Sequence, residues 1–199
     1  MDRSKGVLDA LAAAAALREQ ETPFRLTLVG PKGDVGDEES MARTIEALGL
    51  SDEVHYVGPV QGAAKNELLA SANVFLHPSH FEGMPMSILE ALAHGLPVIG
   101  SKVGGIPEVI EHGVHGLLVA PSEPVALADA ITRLLRCRTT RNEMGMSARR
   151  LAKDRFGLDR LDRDLTELYD ALLSTERSEE LSVVSPHVSP DRHLKRARV

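Results

Sequence analysis

The sequence predicts an α/β protein built on a doubly wound parallel sheet. Two observations predict it. Helix-like and strand-like stretches alternate along the chain, and the joints between them are short and carry Gly or Pro. Parallel strands need crossover helices, and helices on both faces bury the sheet. In such sheets ligands sit outside the carboxyl ends of the strands, where helix amino termini converge.

The elements follow in order. Residues 5–19 are Ala- and Leu-rich and free of Gly and Pro after Gly6, which predicts a helix. Residues 24–30 (FRLTLVG) alternate and end in Gly30, a strand pattern. Residues 38–48 read as a helix stopped by Gly49. A short strand at 54–57 and a helix at 63–71 come next, then a strand at 74–77 stopped by Pro78. Residues 87–94 read as a helix ended by Gly95, 97–101 as a strand, and 116–119 as the last strand. From Glu123, with Pro124 suited to a first helical turn, the pattern is helical to about 173. The tail 174–199 is polar, holds Ser-Pro twice and keeps no period, so it is expected to be disordered. The expected domains are thus 1–173 and a tail at 174–199.

The composition bounds the function. Of 199 residues 43% are apolar, 26% charged and 3% aromatic, with no Trp, so the core must be aliphatic. A net charge of −6 argues against a protein that grips nucleic acid through phosphates. Cys137 is the single cysteine, which excludes an internal disulfide, and no Cys/His spacing suggests zinc. A reducing cytoplasm is the expected setting. No apolar run reaches 18 residues, and the Ala-rich opening lacks a signal peptide's flanks. Arg192, Lys195, Arg196 and Arg198 leave two readings open, peripheral contact with acidic lipids on the inner membrane face or a solvated tail, the second being favoured.

The most informative segment is HPSHFEGMPMSILE, from His77 to Glu90. It leaves a strand, turns at Gly83 and Pro85, and enters a helix near Met86 or Ser87. The free N–H groups and dipole of a helix start suit an anionic diphosphate. Glu82 lies before the helix and Glu90 about one turn inside it. At a rise of about 1.5 Å per residue their carboxylates stand on the order of 10 Å apart, enough to bracket a nucleotide diphosphate. Carboxylates accept hydrogen bonds from vicinal sugar hydroxyls, of which a ribose and a transferred sugar each offer a pair. On spacing alone, a loop carboxylate and an exposed helix position are the commoner reading.

The surrounding residues resemble the carboxyl-terminal domain of the family-4 (group 1) retaining glycosyltransferases of GT-B, Rossmann-like fold. The family's hallmark is Glu, seven residues, Glu, in the context PS-x-x-EG…EAxAxGxPV. Pro78-Ser79, Glu82-Gly83, Glu90-Ala91, Ala93, Gly95 and Pro97-Val98 stand in that register, followed by VGGIPEVI from Val103 and by Gly113 and GLLV from Gly116. The likeness runs from about residue 5 to 173. It implies transfer of a sugar from a nucleotide-diphosphate donor with retention of configuration, in polysaccharide biosynthesis, with no metal ion or other cofactor. It also implies roles: Glu82 on the transferred sugar, Glu90 on the ribose, and the backbone of Gly83, Met84, Pro85, Met86 and Ser87 around the diphosphate. Lys5, in a Lys-Gly pair, matches a lysine on the phosphates. Val60 and Lys65 fall near the base-binding positions, Gly30 ends a strand beside the donor, and Gly104 and Gly105 shape the cleft.

Other readings weigh less. Gly30-Pro-Lys-Gly33 is neither a dinucleotide fingerprint nor a P-loop, and Asp34, Asp37, Glu38 and Glu39 match no calcium loop. His77 and His80 flank Ser79, yet no nucleophile elbow accompanies them. His77 reads as a satisfied strand-end histidine; for His80, facing the sugar is the minority reading. Met84, Met86, Met144 and Met146 read as packing. A hydrolase pair at Glu82 and Glu90 is set aside because the rest of the family pattern surrounds them.

The family's complete enzyme has a second, amino-terminal domain that carries the acceptor site and usually a catalytic histidine. The sequence shows neither that domain nor the strand that normally precedes the first helix and ends in Gly-Arg; Arg3 stands too near Lys5 to serve as that arginine. Without that strand, two interior sheet edges are expected to stand open. The expectation is a chain that is marginally stable alone or is completed by a partner chain with the acceptor domain. A non-catalytic nucleotide-sugar-binding module, or a truncated remnant, is the alternative.

Overall fold

A computed structural model describes residues 3–31 and 38–180. After a 3-10 turn at Arg3–Lys5 come α1 (Val7–Glu19), β1 (Leu26–Leu28), α2 (Glu38–Ala47), β2 (Val54–Tyr56), α3 (Gly62–Ser71) and β3 (Phe75–His77). Then follow α4 (Met86–Ala93), β4 (Val98–Ser101), α5 (Ile106–Val109), β5 (Gly116–Val119), α6 (Pro124–Arg136), α7 (Arg138–Phe156) and α8 (Leu158–Glu180). The chain divides into two compact units between Gly157 and Leu158.

In the first unit every strand pair is parallel, which bears out the α/β reading. β3, β4 and β5 form one sheet with β4 in the middle, Phe75 opposite Val98 and Val98 opposite Gly116. All four residues of β4 and all four of β5 are buried, because helices cover both faces. Successive side chains point to opposite faces and so enter different cores. Val98 and Leu118 pack with Ile88, Leu92, Ile106 and Ala148 from α4, α5 and α7. Ile99, Leu117 and Val119 pack with Ala13, Leu17, Leu127 and Leu134 from α1 and α6.

β1 and β2 form a separate two-stranded sheet, Leu26 opposite Val54. Its core joins Leu28 and Val54 to Met41 and Ile45 of α2 and to Val7, Leu11 and Ala14 of α1. Helix α1 therefore belongs to two cores, which is why alanine suits so many of its positions: a narrow helix buried on two sides needs small side chains. Among the described residues β1 has a strand partner only on its β2 side and β3 only on its β4 side. The Leu26 N–H donates to Glu53 and the Phe75 N–H to Pro97, so the intervening Thr27 and Leu76 turn their amides the other way. These are the two open edges that the sequence reading expects.

The boundaries differ from expectation in instructive places. α1 begins at Val7, not at residue 5, because Gly6 at its N-cap takes a left-handed φ of 69°; Lys5 sits in the turn before it. α5 was not among the expected elements; Pro107 falls within the helix's first turn, where its missing N–H is harmless. The stretch after Glu123 is broken twice, at Cys137 and at Gly157, both with extended backbone. Helix α8 continues past 174 to Glu180, so the expected disorder does not start at 174; residues 181–199, with the basic tail, lie outside the described residues, as do Asp34 and Asp37.

α8 forms the described part of the second unit. Leu158, Leu161, Leu165, Leu168 and Leu172 recur at alternating spacings of three and four and are exposed, an apolar stripe along one face. Among the described residues no helix is long and apolar enough to cross a membrane.

Candidate functional site

The segment singled out in the sequence leaves β3 at His77 and enters α4 at Met86. Pro78 and Ser79 are buried, and the loop then rises past exposed Phe81, Gly83 and Met84 to buried Pro85. Pro85 is the N-cap of α4 and makes no side-chain cap bond. The amino-terminal N–H groups of α4 are thus without a side-chain cap, beside the carboxyl end of β3, where the helix dipole favours an anion.

Two acids of the segment are each held by a lysine. Lys5 Nζ donates to both oxygens of Glu82, at 2.9 and 2.8 Å. Lys65 Nζ donates to one oxygen of Glu90 at 2.6 Å, linking α3 to α4. His77 Nε2 lies 2.7 Å from Glu82 Oε1, with Ser79 Oγ 3.2 Å from the same nitrogen. Glu82 thus accepts three hydrogen bonds from two donors, Lys5 and His77, and Ser79 lies beside the histidine nitrogen that supplies one of them.

The electrostatics follow from these contacts. Burial alone would push the Glu82 carboxyl up, but hydrogen bonds from Lys5 and His77 outweigh it and hold the group below its ordinary 4.5. Burial lowers His77 below its ordinary 6.5, against the opposing pull of Glu82. A neutral His77 therefore donates its Nε2–H to an ionised Glu82. Because the folded His77 resists a proton that the unfolded chain accepts near 6.5, stability falls as pH drops through that value; Glu82 adds a loss of the same sign only below 4.5. The thermal midpoint is expected to fall between pH 7.5 and 5.5. Substitution His77→Gln should flatten that slope in part, since His115, also lowered by burial, contributes with the same sign. An unchanged slope in the variant would remove His77 from this role.

The loop is fixed at both ends by glycines. A Cβ on Gly104, whose φ is 51°, would overlap the Glu82 carbonyl oxygen. Gly105 donates its N–H to the Gly83 carbonyl at 2.9 Å and has no room for a side chain, the nearest atom to its Cβ position being that carbonyl oxygen at 2.7 Å. On the other flank a Cβ on Gly6 would overlap the Pro78 carbonyl. The His80 N–H donates to the Ser4 carbonyl at 2.7 Å, and its ring Nε2 lies 2.6 Å from Asp9 Oδ2 of α1. His80 is thus turned to α1, in place of the minority reading that it faces a sugar.

The structure brings Lys5, Glu82 and His77 into one cluster and Lys65 and Glu90 into another, with Gly83, Met84, Pro85, Met86 and Ser87 between them. Met84, Met86 and Met146 are exposed, which overturns the packing reading for these three; Met144 is buried as expected. Gly30 lies at the carboxyl end of β1, donating its N–H to Gly58 and accepting from the Tyr56 hydroxyl. Val60 lies in the loop between β2 and α3. Among the described residues no hydrogen bond joins either of them to the Glu82–Glu90 segment. Glu39 pairs with Arg43 along α2. Sequence reasoning missed the grip of Lys5 and His77 on Glu82 and of Asp9 on His80, for which the only signal was the unusual crowding of His77 and His80 around Ser79.

Comparison with known proteins bears on this arrangement. The family model described as "Glycosyl transferases group 1" matches residues 1–151. An amylovoran biosynthesis glycosyltransferase of Erwinia amylovora is 33% identical over 179 residues, covering 86% of this chain and 43% of that protein. The structure of HepE from Anabaena in complex with UDP-glucose aligns with TM-score 0.75 and 27% identity over 86% of this chain and 46% of that one. The carboxyl-terminal domain of a group 1 glycosyltransferase from Francisella tularensis shares the fold, with TM-score 0.70, 21% identity, and coverage of 78% of this chain and 82% of that one. The chain spans less than half the length of the curated relatives it matches. With the paired acids, the uncapped helix start and the family match over most of its length, the chain belongs to the group 1 glycosyltransferases, and its fold is that of their carboxyl-terminal GT-B domain.

Proposed function

We propose that this chain is the donor-binding half of a glycosyltransferase that transfers a sugar, with retention of configuration, from a nucleotide-diphosphate sugar. The observation that carries the reading is the placement of Glu82 with Lys5 and of Glu90 with Lys65 on either side of the uncapped start of α4. Glu82 takes hydroxyls of the transferred sugar and Glu90 those of the ribose. The backbone of 83–87 and the Lys5 ammonium hold the diphosphate, with Lys65 and Val60 toward the base. The chemistry asked of this half is electrostatic: as the glycosidic bond breaks, charge develops on the leaving diphosphate, and a fixed dipole with one cation stabilises it. This needs no metal ligand set. HepE, solved with UDP-glucose, supports a nucleotide-sugar ligand.

The acceptor site and the remaining catalytic groups belong to the other half of the architecture. That the chain spans 43% of its relative favours a second reading, a module that binds a nucleotide sugar without turning it over alone.

Calorimetric titration with UDP, GDP and their sugars tests the reading. One of these series is expected to bind, and Glu90→Ala should weaken it by about tenfold or more through the lost charge-assisted hydrogen bonds to the ribose. No binding by any of them would sink the donor assignment, and donor turnover by the isolated chain would sink the binding-only reading.

A further inference from the structure

The two acids of the site are held differently. Glu90 is gripped through one oxygen by one lysine, and its second oxygen takes no hydrogen bond among the described residues. A ribose hydroxyl finds that oxygen ready. Glu82 has both oxygens on Lys5 and one of them on His77 as well, with its side chain only 11% exposed. A carboxylate so engaged has little acceptor capacity left facing the site. Lys5, in turn, spends its charge on Glu82. The residue proposed for the diphosphate and the residue proposed for the sugar thus satisfy each other.

From this geometry we infer that the Lys5–Glu82 pair is a mask that donor binding must exchange: the diphosphate draws off Lys5, and sugar hydroxyls take the places on Glu82 that Lys5 vacates. The inference rests on the donor-binding reading above. The backbone need not move. Gly6 is wedged against the Pro78 carbonyl and fixes the chain at Lys5, while the half-exposed Lys5 side chain is long and flexible. A diphosphate carries more charge than one carboxylate and attracts the ammonium more strongly. His77 stays on Glu82 Oε1 throughout and keeps the carboxylate oriented. The exchange is complete only for an intact donor. A nucleoside diphosphate without its sugar takes Lys5 but leaves Glu82, largely enclosed, with His77 alone. The mask therefore penalises the spent product relative to the donor and favours its release.

Calorimetry on the full chain with UDP against UDP-glucose, and GDP against GDP-mannose, tests this. Glu82→Gln removes the charge that holds Lys5 and keeps the shape. It should bind the free nucleoside diphosphate about twofold to fivefold more tightly, the size of a partly exposed ion pair. The preference for the sugar-bearing donor over the free diphosphate should collapse by about tenfold or more as the hydroxyl bonds to a carboxylate are lost. Glu82→Asp, too short to keep both oxygens on Lys5, should also tighten the free diphosphate and serves if the first variant folds poorly. In a Lys5→Met background the gain should vanish. Weaker or unchanged binding of the free diphosphate to both Glu82 variants would overturn the mask while leaving the donor reading intact. A wild-type chain that binds neither nucleotide series overturns both.

Discussion

Substitution of Gly104 by alanine is expected to weaken nucleotide-sugar binding by about a hundredfold while leaving most of the fold in place. The backbone there has φ 51°, where an L side chain costs about 1–2 kcal/mol. The new Cβ would also overlap the Glu82 carbonyl, so the loop that carries Glu82 must shift. A displacement on the order of 1 Å at a positioned carboxylate is enough to cost about a hundredfold in a site that depends on geometry. Calorimetric affinity is the readout. Gly113 is the control: its φ of 86° imposes the same kind of strain, but its Cβ meets nothing within 4 Å. Gly113→Ala should lower the thermal midpoint by a few degrees and leave binding alone. If Gly104→Ala binds like the wild type, the clamp on the loop is not functional.

The second large effect is on stability. Ile99 is fully buried on β4, the middle strand of the three-stranded sheet, packed against α1 and α6. Ile99→Ala removes about 2–5 kcal/mol. An ordinary domain has about 5–15 kcal/mol in all. Among the described residues β1 and β3 are each paired on one side only, so the isolated chain is expected toward the low end of that range. The variant is expected to show no cooperative melting transition above 37 °C by circular dichroism, whereas Val125→Ala, at a site 66% exposed, should melt like the wild type. A variant that retains a cooperative transition near the wild-type midpoint would show that the open edges cost the isolated chain little.

Much of this architecture was legible because it rests on local signals. Gly49 and Gly95, which end helices, adopt positive φ, as their position after a periodic run implies. The alternation of elements was enough to place Glu82 and Glu90 around a helix start. What was not legible depends on contacts between distant residues. Nothing near Lys5 announces that it meets Glu82, 77 positions away, and nothing near Lys65 announces Glu90. The resemblance gave Gly104 a part in shaping the cleft; only the fold shows that its missing side chain makes room for another loop's carbonyl. The break at Cys137 carries no Pro or Gly, so a helical pattern runs through it unmarked. α8 outran its expected end because a change to polar composition without a lasting period does not by itself stop a helix.

The loop from Pro78 to Gly83 has a consequence that goes beyond geometry. Its backbone is pinned to the turn before α1 through Gly6 and Ser4 on one flank and to the turn of Gly104 and Gly105 on the other. A segment already confined before the ligand arrives loses little conformational entropy when the ligand does. Association should therefore show a small entropic penalty, and affinity should respond to ionic strength, through the lysines, far more than to temperature-dependent ordering of the chain.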